Sequence, residues 1–410
     1  MLDVTSHHRP DLDHLVTELQ KELQQDYAPP HVKRQAHPKM HGCVQAVLRV
    51  DAQVPGELRH GVFAEPGREY RVWVRFSNAL GIEHDLKFIN RGMGIKLLDV
   101  KGERLLPHEM PFMLETGTQD FVLATGDAFV LPDTKNYNYE DFAKAARVSF
   151  IALLKVFVKL KLWRGLAALV RGGAVIAPTP LALPYFSQTP YRLGPNQIVK
   201  LHARPCRTRA LVQSLPGAFQ FGLKTILANL FLGLAGATKV KGALKFFGFA
   251  GTMEEAEAFC ERYLAPRNQL RLAMSAFLAH SPAQFELMVQ TQPDPASMPT
   301  DDATVRWSER RSPFRRVAML TIPRQVFWPA AGMPPAILKA ASAMMELGEN
   351  MSFMPWHGLT DHEPLGDIND ARRRIYSDMS TYRRSKNQVT PQDPAADYNA
   401  LRRVVQDGLL

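Results

Sequence analysis

The sequence predicts one α+β domain, and three observations carry that prediction. Short runs of alternating apolar and polar residues, bounded by Gly, Pro and Asp, occur between residues 43 and 114 and again past residue 280. Segments of helical periodicity flank them. A long stretch without acidic residues separates the two sets, so the order β, α, β argues for a single domain with an insertion rather than two domains. With 46% hydrophobic and 22% charged residues over 410 positions, a disordered or fibrous chain is excluded.

The elements follow in order. Residues 11–26 space Leu12, Leu15, Leu19 and Leu23 as a helix does, and Pro29-Pro30 ends it, so residues 1–30 read as an N-terminal helical packing arm. Residues 43–50, 70–76, 94–98 and 112–114 read as strands of an antiparallel sheet. Residues 269–280 read as a helix, and 285–292 and 316–322 as two more strands. Residues 335–347 are helical by their alanine and methionine content, and 370–383 form a second C-terminal helix. Residues 31–385 then make the main domain and 386–410 a C-terminal tail. No internal repeat or low-complexity segment interrupts the chain.

The net charge of +10 is strongly localised. From Phe142 to Met253 there is no Asp or Glu, against 16 Lys and Arg. Inside that stretch, 145–171 and 219–250 mix apolar residues with regularly spaced cations, the pattern of basic helices on an anionic membrane surface. The longest uncharged run of the second segment, 225–238, is shorter than the roughly 20 residues a bilayer crossing needs. Buried helices whose lysines reach the surface are an equal alternative. Aliphatic residues separate the cations, so nucleic acid is not the expected partner. Cys43, Cys206 and Cys260 are too few for a disulfide framework or a Cys-rich zinc site, and polar and acidic residues stand where a signal peptide needs a basic start and an apolar core. The expected location is the cytoplasm, in association with the inner face of the membrane.

Thirteen histidines give no HExxH motif, nucleophile elbow or phosphate-binding loop, and Gly92-Met93-Gly94 is too little for a nucleotide fingerprint. A set of spacings is more specific. Arg34-Gln35-Ala36-His37-Pro38-Lys39-Met40-His41-Gly42 resembles the catalase segment around the distal histidine. Val74-Arg75-Phe76-Ser77 resembles the following strand, and Arg91-Gly92-Met93-Gly94-Ile95-Lys96 the Arg-Gly-Phe-Ala-x-Lys stretch after it. Asp120-Phe121-Val122, Phe129 to Asp133 and Ile198 to His202 continue the series. Arg372 lies four residues before Tyr376 and Arg383 seven after, as at the proximal haem ligand of catalases. The matches are collinear from about residue 31 to 385, in a chain shorter than most catalases.

That resemblance implies an eight-stranded antiparallel β-barrel with surrounding helices, and haem b between the barrel and the C-terminal helix. It implies Tyr376 as the iron ligand with Arg372 one helical turn away favouring the phenolate. Arg34, Arg75 and Arg383 are the implied partners of the haem propionates, and Tyr137 the aromatic ring over the haem. On the distal side it implies His37 as acid and base, oriented by Ser77. One departure is plain: Ala124 stands where catalases carry an asparagine that hydrogen-bonds peroxide, leaving Thr125 beside it as a weak substitute. The expected function is therefore a haem-dependent oxidoreductase acting on organic or fatty-acid hydroperoxides. The alternatives are a low-activity H2O2 catalase or peroxidase and a non-catalytic membrane-peripheral haem-binding protein. Family members are commonly oligomeric, so the resemblance admits a homo-oligomer, while the shortened arm and the insertions depart from the family pattern and leave the oligomeric state open.

Overall fold

The computed structural model describes residues 10–79, 84–106, 117–131, 155, 157–159, 161–173, 175–208, 211, 218–235, 253–389 and 393–406. Nine strands are described: β1 (Met40–Val50), β2 (Glu69–Asn78), β3 (Arg91–Leu97), β4 (Gln119–Ala124), β5 (Tyr185–Phe186), β6 (Tyr191–Leu193), β7 (Gln197–Pro205), β8 (Ala283–Thr291) and β9 (Arg315–Ile322). Helices are α1 (Pro10–Asp26), α2 (Trp163–Gly173), α3 (Ala218–Ala235), α4 (Met253–Tyr263), α5 (Gln269–His280), α6 (Pro335–Asn350), α7 (Asp367–Asn387) and α8 (Pro394–Val405).

All strand pairs are antiparallel, in the order β5-β4-β3-β2-β1-β9-β8-β7-β6, and β5 also pairs with β7. Tyr185 opposite Ala203 and Phe186 opposite His202 close the ring, so eight strands form a barrel with β6 on the same edge of β7 as β5. Its interior is filled by residues such as Val44, Leu48, Val74, Phe76, Ile95, Phe121, Phe285 and Val289. Many strand residues that point outward are buried too. Trp73 on β2 is covered by α8, whose Pro394 carbonyl accepts the indole N–H at 2.9 Å. Double-sided burial of this kind blurs the period-2 pattern and leaves nearly continuous apolar strands.

Residues 394–405, assigned from sequence to a tail, are thus helix α8, with Tyr398 and Val405 in the main core. The cause is local chemistry: Asp393 caps the helix by accepting from the Ala395 and Ala396 N–H groups, and Pro394 opens it. The expected arm is helix α1. Its stripe Leu12, Leu15, Val16, Leu19 and Leu23 packs against Ala371, Ile375 and Met379 of α7. Burial of such side chains contributes about 1.5–3 kcal/mol each and holds α7 against the molecule. The expected strand at 112–114 and parts of the segments 145–171 and 219–250 lie outside the described residues.

Candidate functional site

Between the barrel wall and α7 lies a cavity of about 670 Å³, mouth included. The chain enters β1 along its barrel side, and His37 sits there with φ of 60°, a left-handed conformation uncommon for a residue with a side chain. Two bonds hold that backbone: the His37 N–H donates to Ala79 O at 3.0 Å, and His37 O accepts from Arg75 Nη2 at 3.0 Å. The imidazole Nδ1 lies 3.0 Å from Ser77 Oγ. Ser77 shares a face of β2 with Arg75, two residues before it. Gly92 on β3 pairs with Ser77, and a Cβ there would stand 2.3 Å from His37 Nδ1 and 2.9 Å from Ser77 Oγ. Glycine at 92 is therefore what lets the ring lie flat against the wall.

The electrostatics follow from the same packing. Burial, then the nearby guanidinium groups of Arg75, Arg372 and Arg34, push the His37 pKa down to about 3. The ring is neutral at physiological pH and has one nitrogen able to accept a proton.

At the cavity edge the C-terminus of α6 gathers cations. Its last carbonyls would be orphaned and carry the negative end of the helix dipole. Gly348 O accepts from Arg34 Nη2 at 3.0 Å and from Arg75 Nε at 3.1 Å, Met351 O accepts from Arg34 Nη2, and Asn350 O accepts from Arg383 and Arg384. Glu349 lies 3.6 Å from both Arg75 and Lys33. Cations outnumber this one carboxylate. Burial, then Arg383 and Arg75, pull the Arg34 guanidinium well below its usual range, and Arg34 Nε is buried without a hydrogen-bond partner. Capping α6 accounts for several of these contacts and leaves donors and positive charge suited to an anion.

The opposite wall is α7. Ile375, Tyr376, Met379, Ser380 and Arg383 line the cavity from it, facing Met93, Val122, Leu123 and Phe353. Tyr376 is half-buried, and among the described residues its hydroxyl takes no hydrogen-bond partner. The structure thus brings together Arg34, His37, Arg75, Ser77, Tyr376 and Arg383 on one cavity.

Two of the expected residues spend their hydrogen bonds elsewhere, and a third lies outside the described residues. Thr125 is not a distal donor: its hydroxyl accepts from Arg91 N at 2.9 Å and donates to Gly172 O at 3.1 Å, and it does not line the cavity. Both hydrogen-bonding capacities go to joining β3, β4 and α2. Arg372 lies one turn before Tyr376, but its guanidinium donates to Thr189 Oγ1 at 3.1 Å and Asn369 Oδ1 at 3.2 Å. Tyr137 lies outside the described residues. Residues the sequence did not flag include Gly92 as the seat of His37, Glu349 among the arginines, and Phe353, against which a Cβ at Gly94 would stand at 2.7 Å. The close pair of glycines in Gly92-Met93-Gly94 was the available signal for tight approach.

Neither the family models nor the curated proteins include a match to this chain. Solved structures do match. A fungal catalase is 15% identical with a TM-score of 0.55, over 90% of this chain and 62% of its own. Catalase A from Saccharomyces cerevisiae is 13% identical with a TM-score of 0.56, over 90% and 64%. A bacterial catalase is 15% identical with a TM-score of 0.55, over 94% and 64%. The chain spans less than two-thirds of the length of these catalases. The closed eight-stranded barrel, its surrounding helices and these likenesses together give the chain a catalase-like fold.

Proposed function

We propose that the cavity binds haem b and that the protein acts on peroxides, with organic hydroperoxides, fatty-acid hydroperoxides included, as the substrate class. The observation that carries this reading is the pairing of a half-buried, neutral His37 with a tyrosine-bearing helix across one cavity edged by arginines. The donor set fits the group. Arg34, Arg75 and Arg383 match two propionate carboxylates, Tyr376 offers the phenol oxygen for iron, and Met93, Val122, Leu123, Ile375 and Met379 suit an apolar macrocycle. Haem, when bound, supplies the iron at which a peroxide O–O bond is cleaved.

The chain's own residues handle the proton. His37 accepts it from the attacking peroxide oxygen and returns it to the departing one, which a neutral imidazole does near neutral pH. Ser77 Oγ holds Nδ1 and leaves Nε2 for that exchange. The left-handed backbone at His37 spends strain to aim the ring. Ala124, in place of an amide side chain, removes a donor that would hold a small polar peroxide, and the apolar lining favours a peroxide with a carbon chain.

The test compares H2O2 with a fatty-acid hydroperoxide at equal concentration on haem-loaded protein. Faster turnover of the fatty-acid hydroperoxide, with loss of about a hundredfold or more in His37→Ala, supports the reading. Faster turnover of H2O2 would sink the substrate class, and unchanged rates in His37→Ala would sink the proton relay.

A further inference from the structure

Helices α2 and α3 turn several large apolar residues outward among those described. On α2, Gly165, Ala168, Gly172 and Gly173 are buried, while Trp163 is 58% and Val170 51% exposed, with Ala167 exposed between them. Positions 163, 167 and 170 form one stripe. The glycine side lies so near the barrel that a Cβ at Gly165 would stand 2.0 Å from Val130 O, and one at Gly172 would stand 2.4 Å from Asn90 Oδ1. A helix serving only the core would bury its large side chains and turn polar ones outward.

Helix α3 also turns large aliphatic residues outward. Phe221, Thr225 and Ala228 are buried, whereas Leu223 is 49% and Ile226 56% exposed. Thr225 spends its hydroxyl on Phe221 O at 2.7 Å. The segment around Phe88 links the two helices: Gly173 backs onto the Phe88 backbone, the Phe88 N–H donates to Asn229 Oδ1 at 2.8 Å, and Phe88 itself is 41% exposed. Lys155, Val158, Lys159, Lys161, Arg164 and Arg171 stand exposed on and just before α2. Two carboxylates face this rim, Asp302 at 3.5 Å from Arg164 and Asp127 at 3.3 Å from Arg171.

We propose that this face docks on the surface of a bilayer carrying anionic lipid. Trp163, Val170, Phe88, Leu223 and Ile226 enter the boundary between headgroups and acyl chains, and the lysines meet the headgroups. No helix among the described residues is long and apolar enough to cross a membrane, so the contact is shallow. Charge complementarity selects the partner: cations interleaved with aliphatic side chains suit lipid, whereas single-stranded nucleic acid requires stacking platforms.

Flotation of the full-length protein with phosphatidylcholine vesicles, with and without phosphatidylserine, tests the proposal. Binding is expected with phosphatidylserine at low ionic strength, weakening as salt rises. Leu223→Glu combined with Ile226→Glu should lower it at least about tenfold with an unchanged thermal melt. Lys155→Glu with Lys159→Glu, at exposed positions, should lower it and flatten the salt dependence, and decides the matter should the first pair fail to fold. Absence of flotation with either vesicle at low salt, wild-type flotation by the lysine pair, or retention on RNA without flotation would overturn it.

Discussion

The two walls of the cavity are held in different ways. On the barrel wall His37 is fixed through its backbone N–H, its carbonyl and Nδ1, and Arg75 is fixed on Gly348 O and His37 O. On the α7 wall the Tyr376 hydroxyl takes no partner among the described residues, Ser380 Oγ is buried without one, and Arg372 is engaged with Thr189 and Asn369. The barrel wall is therefore preorganised by strand register, while the helix wall keeps polar atoms for what binds. That division suits a fixed proton relay facing a ligand-accepting helix.

Acid should expose the barrel wall first. Burial pushes His37 and His41 down to about 3, and also His362, whose Nε2 accepts the Val62 N–H at 2.9 Å. In the unfolded chain these rings take up protons below about pH 6.5, whereas the folded protein keeps them neutral down to about pH 3. The unfolded state then binds more protons, so stability falls as pH drops through that window, by about 1.4 kcal/mol per pH unit for each histidine. Thermal melts from about pH 7 to about pH 4 should show a steep decline in Tm. A flat profile would mean that the wall is not closed around neutral rings.

The next effect concerns the anchor behind that wall. Lys96 on β3 bonds both oxygens of Asp120 on β4 at 2.8 and 2.9 Å, both side chains fully buried, and Asp120 also accepts from Met354 N next to cavity-lining Phe353. Lys96→Met would strand the carboxylate and cost about 3–5 kcal/mol, read as a lower urea midpoint. Lys96→Met with Asp120→Leu should recover most of the loss.

Smaller effects separate the walls by function. Gly92→Ala drives a methyl group into His37 and should lower peroxide turnover about a hundredfold while hemin affinity, which the proposed site assigns to the arginines and α7, stays near wild type. Ser77→Ala removes one hydrogen bond worth about 1 kcal/mol and should slow turnover by about tenfold or less. Parallel losses of hemin binding in either variant would erase the distinction between the walls.

Much of the barrel was legible because β1, β2, β3, β8 and β9 are long enough, at seven to eleven residues, to show an apolar strand pattern between turn residues, and α5 spans Gln269–His280 as its periodicity required. Strands β5 and β6 have two and three residues and offer no period to read. The α8 signal, Asp393-Pro394, was present but followed a polar stretch. At the site, His37, Ser77 and Tyr376 were legible only through resemblance, since nothing local in the sequence sets Ser77 beside a residue 40 positions earlier. Thr125 turns to backbone groups for a general reason: a hydroxyl at a strand end often serves the backbone before any substrate. The arginine cluster depends on where α6 ends, which no spacing reveals.

The most direct measurement is a hemin titration followed by absorbance, on wild type and on Tyr376→Phe. Stoichiometric binding with a high-spin ferric phenolate spectrum in wild type, and loss of that spectrum in Tyr376→Phe, is the predicted result. No spectral response in wild type, or identical spectra from the two proteins, would contradict a haem held across the cavity by Tyr376.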